Sequence, residues 1–547
     1  MSEKLSAVEH IKTKSDGLRG TLKESIDLDN HTGNVRSDDE TLVKFHGMYV
    51  QDDRDRRAER AAKKLDKLYS FMIRLRIPGG VINANQWIAT HEISEQFGTG
   101  TLKITTRQTV QLHGLLKHQL RPTIQAFNTA KLDSIAACGD VNRNVIVSSH
   151  PQISAIHQQI YEYADKISTL LLPKTQSYYE VFIDGEKIYE RSSEADPLYE
   201  DRYLPRKFKI AIAIPPSNDV DVFTNDIGLI AIIENNELKG FNIAIGGGLA
   251  TTHGNPNTYS RLGSIIGFTD TEEKTLKAVY EILTVQRDFG NRVDRKLSRL
   301  KYTVDKLTVE GFKKELESRI GFEFEPERKY TFTERSDRFE WEQNHQGKWF
   351  YTLFIEHGVV KPEQKQFLYE LAQLDISNFI FSGNQNLILG EIDESNKAKV
   401  EALLLQHDIE KQVSALRKNS MACVALPTCP LALAEAQRYL PELVTKIEPI
   451  LAKYELSNDE ITIRMTGCPN GCGRPYVAEL GFVGTGPEQY NFMLGGDRFG
   501  ERLNKIYKEK QSESQILEDV DVLLGRYVKE KLENETFGDF AFRTILN

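Results

Sequence analysis

Four of the five cysteines in this 547-residue chain lie within 50 positions, and no other feature of the sequence constrains the fold as strongly. Cys423 and Cys429 form a C-x5-C element, Cys468 and Cys472 form a C-x3-C element, and 38 residues separate the two elements. Such a concentration of thiols indicates that one site gathers all four side chains. The fold must therefore bring two loops of the stretch Asn419–Tyr476 together.

Three kinds of site remain open for these thiols: an iron–sulfur cluster, a zinc ion, or uncoordinated or disulfide-bonded cysteines. Structural zinc usually takes cysteines about two to four residues apart, so C-x5-C fits zinc poorly. The turn C-P-N-G-C-G offers backbone N–H groups that stabilise charged sulfurs, which favours an iron–sulfur cluster. The fifth cysteine, Cys138, stands beside a glycine and is interpreted as a small buried residue.

The composition narrows the class of protein. The net charge of −9 argues against a general nucleic-acid partner, so any basic residues that matter must be local. No apolar run is long enough to span a membrane, and Met1–Gly17 lacks the apolar core of a secretory signal. We therefore expect a cytoplasmic protein without a membrane or nucleic-acid partner, in which clustered cysteines serve metal or redox chemistry.

Basic residues recur in segments that alternate like strands. Thr101–His113 is predicted to be one strand that places Lys103 and Arg107 on the same face, which suits an anionic ligand. A solvent-facing strand of an antiparallel sheet is the alternative. Leu204–Pro216 is predicted to be a strand that begins with three cations, and Asn83–Phe97 to be a helix.

The second half of the chain repeats the first. Four similar segments occur in the same order in both halves, which indicates a duplicated unit with loops of different length. The matches align Gly79 with His357, Gln108 with Gln385 (offset 277), Pro151 with Pro430 (offset 279) and Gly246 with Gly495 (offset 249).

This duplication predicts an α+β fold with a pseudo-twofold axis, built from two small ferredoxin-like β-α-β modules and two larger α/β modules. Residues 1–60 are either a solvated extension or a segment that wraps the body or docks a partner. The predicted divisions are an extension at 1–60, small modules at 61–135 and 331–405, and large modules at 136–330 and 406–547. Because only the second copy carries the four clustered cysteines and only the first the cation-rich strands, we expect the active site between the halves.

Several motifs together resemble one family. C-x5-C, C-P-N-G-C-G-R, N-R-N, R-x-R-x-P-G-G and T-x-R-Q-T-x-Q-L-H-G resemble the sulfite and nitrite reductases that carry sirohaem and a [4Fe-4S] cluster. The resemblance runs from about Phe45 to the C-terminus. H-G-M-Y-V-Q-D-D-R-D-R-R-A-E-R and L-P-R-K-F-K look like the NADPH-dependent assimilatory branch of that family.

The resemblance implies a six-electron reduction of sulfite to sulfide at a sirohaem bridged to a [4Fe-4S] cluster. Ferredoxin-dependent reduction of nitrite or sulfite is the alternative within the family. This chain shows no dinucleotide-binding fingerprint, so NADPH, FAD and FMN would act only through a separate flavoprotein (alpha) component.

The family's functional residues map onto matching positions of this sequence. Cys423, Cys429, Cys468 and Cys472 match the cluster ligands, and Cys472 matches the one whose sulfur bridges to the sirohaem iron. Lys103 and Arg107 match positions that face the sirohaem carboxylates. The family usually has arginine at position 103, and lysine keeps the charge but loses the bidentate fork. The cations implied to surround the substrate are Arg74, Arg143, Lys207 and Lys209.

Overall fold

The computed structural model describes residues 4–28, 31–149, 155–174, 180–183, 186–190, 195–409 and 412–546. Within these residues, no helix is both long and apolar enough to cross a membrane.

Most of the N-terminal segment packs on the body of the protein. Lys12 is buried, pairs with Glu9 at 2.6 Å and donates to the carbonyl of Leu204 at 2.7 Å. Leu18 and Phe45 are buried in the main hydrophobic core. Of the two alternatives for residues 1–60, this packing favours a segment that wraps the body of the protein rather than a solvated extension. Its elements are α1 (Ala7–Lys14), α2 (Leu22–Asp27), α3 (Asp39–Leu42), β1 (Met48–Asp52) and α4 (Arg57–Ala62).

The two small modules have the same order of elements. The Asn83 side chain caps the first long helix in a reciprocal capping box with Gln86, as the sequence of that segment favours. The first module contains β2 (Tyr69–Arg74), β3 (Val81–Ile82), α5 (Ala84–Phe97), β4 (Leu102–Thr105), β5 (Thr109–Leu115) and α6 (Leu120–Thr129). The second contains β13 (Glu342–Gln343), β14 (Trp349–Leu353), α11 (Pro362–Gln373), β15 (Asn378–Phe381), β16 (Leu387–Ile392) and α12 (Glu394–Gln406).

Between them lie the elements of the first large module. They are β6 (Ile146–Val147), α7 (Ala155–Leu170), β7 (Glu180–Ile183), β8 (Glu186–Glu190), β9 (Ile210–Ala213), β10 (Ile227–Glu234), β11 (Glu237–Ile245), β12 (Ser264–Thr269), α8 (Glu272–Phe289), α9 (Leu300–Leu307) and α10 (Val309–Ile320). The second large module contains α13 (Ala415–Lys418), β17 (Ser420–Ala422), α14 (Leu440–Lys453), β18 (Ile463–Thr466), β19 (Leu480–Gly486), β20 (Gln489–Leu494), β21 (Lys505–Gln511), α15 (Glu513–Glu530) and α16 (Phe537–Thr544).

The small modules exchange strand segments reciprocally. The first small sheet has the order β1-β2-β5-β4, and the second has the order β13-β14-β16-β15-β3, so β3 has crossed from the first module into the second sheet. Val81 pairs with Ile380, and in return Val359 forms a bridge with Lys103. The two contacts are equivalent under the duplication, because 359 − 81 is 278 and 380 − 103 is 277. The halves are therefore interlocked through their edges.

The large modules share one sheet topology. Their orders are β6-β9-β10-β11-β12 and β17-β18-β19-β20-β21, with the first three strands parallel and the remaining pairings antiparallel in both sheets. This identity of order and direction confirms the duplication and the predicted α+β fold class.

Three of the four sequence matches also have equivalent places in the structure. Gln108 and Gln385 both adopt left-handed backbone in the turn of equivalent hairpins, at φ of 50° and 72°. Gly246 and Gly495 follow equivalent strands at φ of 78° and 86°. Gly79 and His357 precede the exchanged segments.

The remaining match has the wrong register. Ile146 pairs with Ala211, and Met421 pairs with Arg464 at the equivalent place, so the true offset is 275 and not 279. Pro151 itself lies outside the described residues. Both loops contain proline at similar spacing, which makes the shifted register look equivalent in the sequence.

Candidate active site

The cysteines meet at one edge of the second large sheet. Cys423 directly follows β17, and the Cys468–Cys472 loop follows β18, its parallel neighbour. The carboxyl ends of adjacent parallel strands share an edge, which is where α/β sheets bind ligands. The two cysteine elements thus come together as the spacing predicted.

All five cysteines are free thiols, and four of them influence one another electrostatically. Burial, with the neighbouring charges of Cys472 and Cys423, raises the pKa of Cys429 to about 11 and that of Cys468 to about 12. Burial and the charge of Cys472 also raise the pKa of Cys423. Burial and mutual repulsion therefore disfavour the charged form of these thiols, and a bound metal cation would offset that cost and deprotonate them.

Hydrogen-bond donors surround the sulfurs. The Thr466 hydroxyl and the Gly467 N–H both donate to Cys423 Sγ at 3.3 Å, and Asn470 Nδ2 donates to Cys468 Sγ at 3.4 Å. Donors of this kind stabilise the charged sulfurs of iron–sulfur centres. In the described part of the chain, no group of three or more His, Cys, Asp or Glu side chains is arranged to hold a single metal ion, so the four cysteines as placed do not form a one-ion site.

Cys472 opens onto a cavity with basic walls. Arg107, Lys207 and Lys209 from the first half line this cavity together with Cys472 from the second. A hydrogen bond of 3.4 Å from the Thr106 hydroxyl to the carbonyl of Cys472 joins the two halves here. This cavity lies between the two halves, which is where the sequence analysis expects the active site.

The lysines of this wall repel one another. Burial, with the charges of Arg143 and Arg299, lowers the pKa of Lys207 to about 7. Burial and the charges of Lys207 and Arg107 likewise lower the pKa of Lys209 well below its usual value. Lys207 and Lys209 are half-buried. Cations that are largely withdrawn from water without matching carboxylates are costly, and a bound anion would remove that cost.

Arg143 is held next to these lysines by the backbone. Its N–H donates to the carbonyl of Phe208 at 3.0 Å, and Asn142 bridges to the same residue. Its guanidinium donates to the hydroxyl of Tyr49 at 3.2 Å. Arg143 is not among the residues that line the cavity of Cys472.

Arg74 lies at the end of β2, further from the cavity. Its guanidinium donates to Gln111 Oε1 at 2.9 Å and to Cys138 Sγ at 3.5 Å. Cys138 is fully buried, as predicted. Burial, followed by the charges of Arg474, Arg143 and Arg74, lowers the pKa of Arg107 to about 9, so these cations share one electrostatic environment.

The predicted strand Thr101–His113 is a hairpin. β4 and β5 pair antiparallel, with Lys103 opposite Gln111, and Arg107 stands in the turn between them. Alternation along a single strand could not reveal the turn, because directly paired residues of a hairpin share a face just as alternate residues of one strand do.

Lys103 and Arg107 consequently have different surroundings. The Lys103 ammonium is buried and has no hydrogen-bond partner among the described residues. Burial lowers its pKa to about 7, and the neighbouring charges of Cys423 and Cys429 oppose that shift. Lys103 therefore lies beside the cysteines, while Arg107 donates to Asn225 Oδ1 at 2.6 Å and lines the cavity.

Two arginines of the cavity wall, and the carboxylates that hold them, are not among the residues predicted from the sequence. Arg299 pairs with Asp226 at 2.8 Å, and Arg474 pairs with Asp221 at 2.8 Å. Arg474 stands in the quoted motif C-P-N-G-C-G-R, which could have indicated it. No sequence signal marks Arg299.

The donor set fits the two implied cofactors. Four thiols with hydrogen-bond donors on two of them suit a [4Fe-4S] cluster. Three cationic groups are buried without a hydrogen-bond partner in the described chain, namely the Nε atoms of Arg107 and Arg474 and the ammonium of Lys103. Buried donors require acceptors, and a macrocycle with several carboxylates beside the cluster would supply them.

Comparison with known proteins gives the same family. The nitrite/sulfite reductase ferredoxin-like half domain matches residues 63–130 and 342–407, which are the two small modules. The nitrite and sulphite reductase 4Fe-4S domain matches residues 162–324. That stretch contains no cysteine, so the match reports the fold of the first large module rather than the metal ligands.

Full-length relatives decide the assignment. The chain is 57% identical over 99% of both chains to a protein of Leptospira biflexa named sulfite reductase [NADPH] hemoprotein beta-component. It is 49% identical to proteins of the same name from Staphylococcus haemolyticus, over 100% of this chain and 96% of the relative, and Bacillus pumilus, over 98% and 95%. The chain belongs to the nitrite and sulfite reductase family.

A solved structure supports the fold across the whole chain. The NirA protein of Mycobacterium tuberculosis is 22% identical and superimposes with a TM-score of 0.79, covering 99% of this chain and 97% of that one. At this identity the likeness concerns the architecture alone.

Proposed function

We propose that this protein is the haemoprotein component of an assimilatory sulfite reductase, which reduces sulfite to hydrogen sulfide with six electrons. The observation that carries the proposal is the meeting of Cys472, from the four-thiol site, with Arg107, Lys207 and Lys209 around one cavity. The names of the full-length relatives agree with it.

The four cysteines are proposed to hold a [4Fe-4S] cluster, with the Cys472 thiolate shared with sirohaem iron. Such cofactors supply the stored electrons that no side chain can provide. Lys103 and Arg107 are proposed to face the sirohaem carboxylates. The position of Lys103 beside Cys423 and Cys429 supports the proposal that it also stabilises the charge of the cluster.

Arg74, Arg143, Lys207 and Lys209 are proposed to bind and orient the substrate anion. A sulfite dianion must lose much of its hydration in a buried site, and fixed cations replace the lost water contacts. Lys207 Nζ, whose pKa of about 7 lies near neutral pH, is also suited to pass a proton to a substrate oxygen that leaves as water.

Electrons are proposed to come from a separate flavoprotein (alpha) component that oxidises NADPH through FAD and FMN. The alternative is a ferredoxin-dependent reductase acting on nitrite or sulfite. The proposal includes a cytoplasmic location and the five divisions of the chain predicted above. β1 belongs to residues 1–60 but pairs with β2 of the first small module. The boundary at residue 60 therefore divides the sequence but does not separate two packing units.

The testing experiment is anaerobic purification followed by an absorption spectrum and assays for iron and acid-labile sulfide. We expect a coloured protein with sirohaem and cluster bands, and a colourless zinc protein would overturn the proposal. Values of kcat/KM for sulfite and nitrite decide the substrate. Reduction by NADPH only after the flavoprotein is added would identify the donor.

A further inference from the structure

Cys423 occupies the place that Ser148 holds in the first half. The Ser148 N–H donates to the carbonyl of Ile212 at 2.9 Å, and the Cys423 N–H donates to that of Met465 at 3.2 Å. The N–H of Ile214 donates to Ser148 Oγ at 3.1 Å, just as that of Gly467 donates to Cys423 Sγ at 3.3 Å. The duplicated scaffold thus supplies one backbone donor in both halves.

A second donor is present only in the half with the cysteines. The Thr466 hydroxyl donates to Cys423 Sγ at 3.3 Å. The residue at the equivalent position of the first half is Ala213, because Ile210 and Ile463 begin equivalent strands in the same register. Ala213 has no hydroxyl to offer Ser148.

Packing does not require this hydroxyl. Thr466 is fully buried, and a methyl group would fill the same space. Its hydroxyl has Cys423 Sγ as the acceptor, and a buried hydroxyl without an acceptor costs about 1–3 kcal/mol. The hydroxyl is therefore specific to the half with the four clustered cysteines, and its acceptor is the sulfur of one of them.

We propose that Thr466 is a positioning residue that raises the reduction potential of the iron–sulfur cluster through its hydrogen bond to Cys423. The inference rests on the proposed function, since it requires the cluster. Reduction adds negative charge to the cluster and its sulfurs, and a donor on a ligand sulfur stabilises the reduced form more than the oxidised one. Buried Lys103, on the same side as Cys423, acts in the same direction.

The test is a redox titration of the cluster, followed by electron paramagnetic resonance, in full-length holoprotein. Thr466→Val keeps the shape and removes the donor, and Thr466→Ser restores it. Thr275→Val is the matched control, because Thr275 is a buried threonine of the first half whose hydroxyl donates to the carbonyl of Thr271. Iron and acid-labile sulfide per chain are measured for each variant.

We expect the midpoint potential to move to a more negative value in Thr466→Val, and to stay near that of the wild type in Thr466→Ser and Thr275→Val. Thr466→Ala, the residue that the first half carries at Ala213, repeats the test if the valine variant does not fold.

An unchanged midpoint in a variant with full iron and sulfide would overturn this inference alone. Loss of the cluster in both the valine and alanine variants would also overturn it, in favour of a role in cluster assembly. A wild-type protein without iron and sulfide would overturn the proposed function and, with it, the inference.

Discussion

Asp221 and Arg474 occupy equivalent positions in the two halves and form an ion pair with each other at 2.8 Å. Both have left-handed backbone, at φ of 48° and 55°, and both begin a short 3-10 turn. Arg335 and Arg464 also bind this carboxylate, and each has a guanidinium nitrogen 2.6 Å from one of its oxygens. Despite complete burial, the three guanidiniums hold the pKa of Asp221 well below its usual range.

This carboxylate ties both flanks of the C-x3-C loop to the first half, because Arg464 precedes Cys468 by four residues and Arg474 follows Cys472 by two. We expect Asp221→Asn to leave buried guanidiniums uncompensated, at a cost of about 3–5 kcal/mol, and to lower both the melting temperature and the iron content. Calorimetry and iron assays measure these effects.

Asp305→Asn is the control for that change. Asp305 pairs with Arg261 at 2.9 Å near the surface, where an ion pair contributes about 0–1 kcal/mol. An Asp221→Asn protein with the stability and iron content of this control would show that the three-arginine contact is dispensable.

Cys472→Ser is expected to lose the cluster and the thiolate proposed for the sirohaem iron, because serine is a poor ligand for iron in such centres. Absorption and acid-labile sulfide report the loss. Cys138→Ser, at a buried cysteine outside the four-thiol site, should retain the cluster. A Cys472→Ser protein that kept the wild-type spectrum would contradict the assignment.

Lys209→Ala is expected to keep both cofactors and to lower kcat for sulfite by about a hundredfold, since one fixed cation that stabilises developing charge is lost. Steady-state kinetics on protein with measured iron content provides the test. Lys529→Ala, at an exposed position on α15, should leave kcat unchanged. If Lys209→Ala instead abolished cofactor binding, its role in substrate binding would be wrong.

The duplication was visible in the sequence because its signals are local. Gly246 has left-handed backbone that favours glycine, so it remains recognisable in both copies. Gln108 and Gln385 remain recognisable because each side-chain amide donates to a backbone carbonyl. The register of β6 was not recoverable in the same way. Two residues of strand and a proline loop carry too little pattern to exclude a shift of four positions.

The meeting of the four cysteines was predictable from the sequence, and the surrounding cations were less so. Cysteines at short spacings indicate that they share one site. Arg299, by contrast, reaches the cavity because α9, which it precedes, packs near the first large sheet. The ion pairs of Asp221 with Arg335, Arg464 and Arg474 form only where the two halves of the protein pack against each other. Nothing local in the sequence encodes such an apposition.

The exchange of segments between the small modules provides a further prediction. Gly358 has φ of 77°, and a Cβ there would lie 2.1 Å from the carbonyl oxygen of Ile104. Gly358→Ala should therefore lower the melting temperature far more than Gly321→Ala. Gly321 has φ of 76° with nothing within 4 Å of its Cβ position, so alanine there costs only the left-handed strain of about 1–2 kcal/mol. An equal decrease of the melting temperature in the two variants would mean that the close contact between the exchanged segments can be lost without further loss of stability.

The last prediction concerns pH and the buried Glu479. Burial raises its pKa from 4.5 to about 7, even though its carboxylate accepts from the N–H groups of Thr462 and Gly538 at 2.8 and 2.9 Å. Because the folded pKa lies above the unfolded one, the stabilising contribution is fully present below pH 4.5 and is lost as pH rises through 7. The loss amounts to at most about 3 kcal/mol. In calorimetry from pH 5 to 8, the melting temperature of the wild type minus that of Glu479→Gln should decrease with rising pH. A melting-temperature difference that stayed constant over this range would show that Glu479 does not titrate between pH 5 and 8.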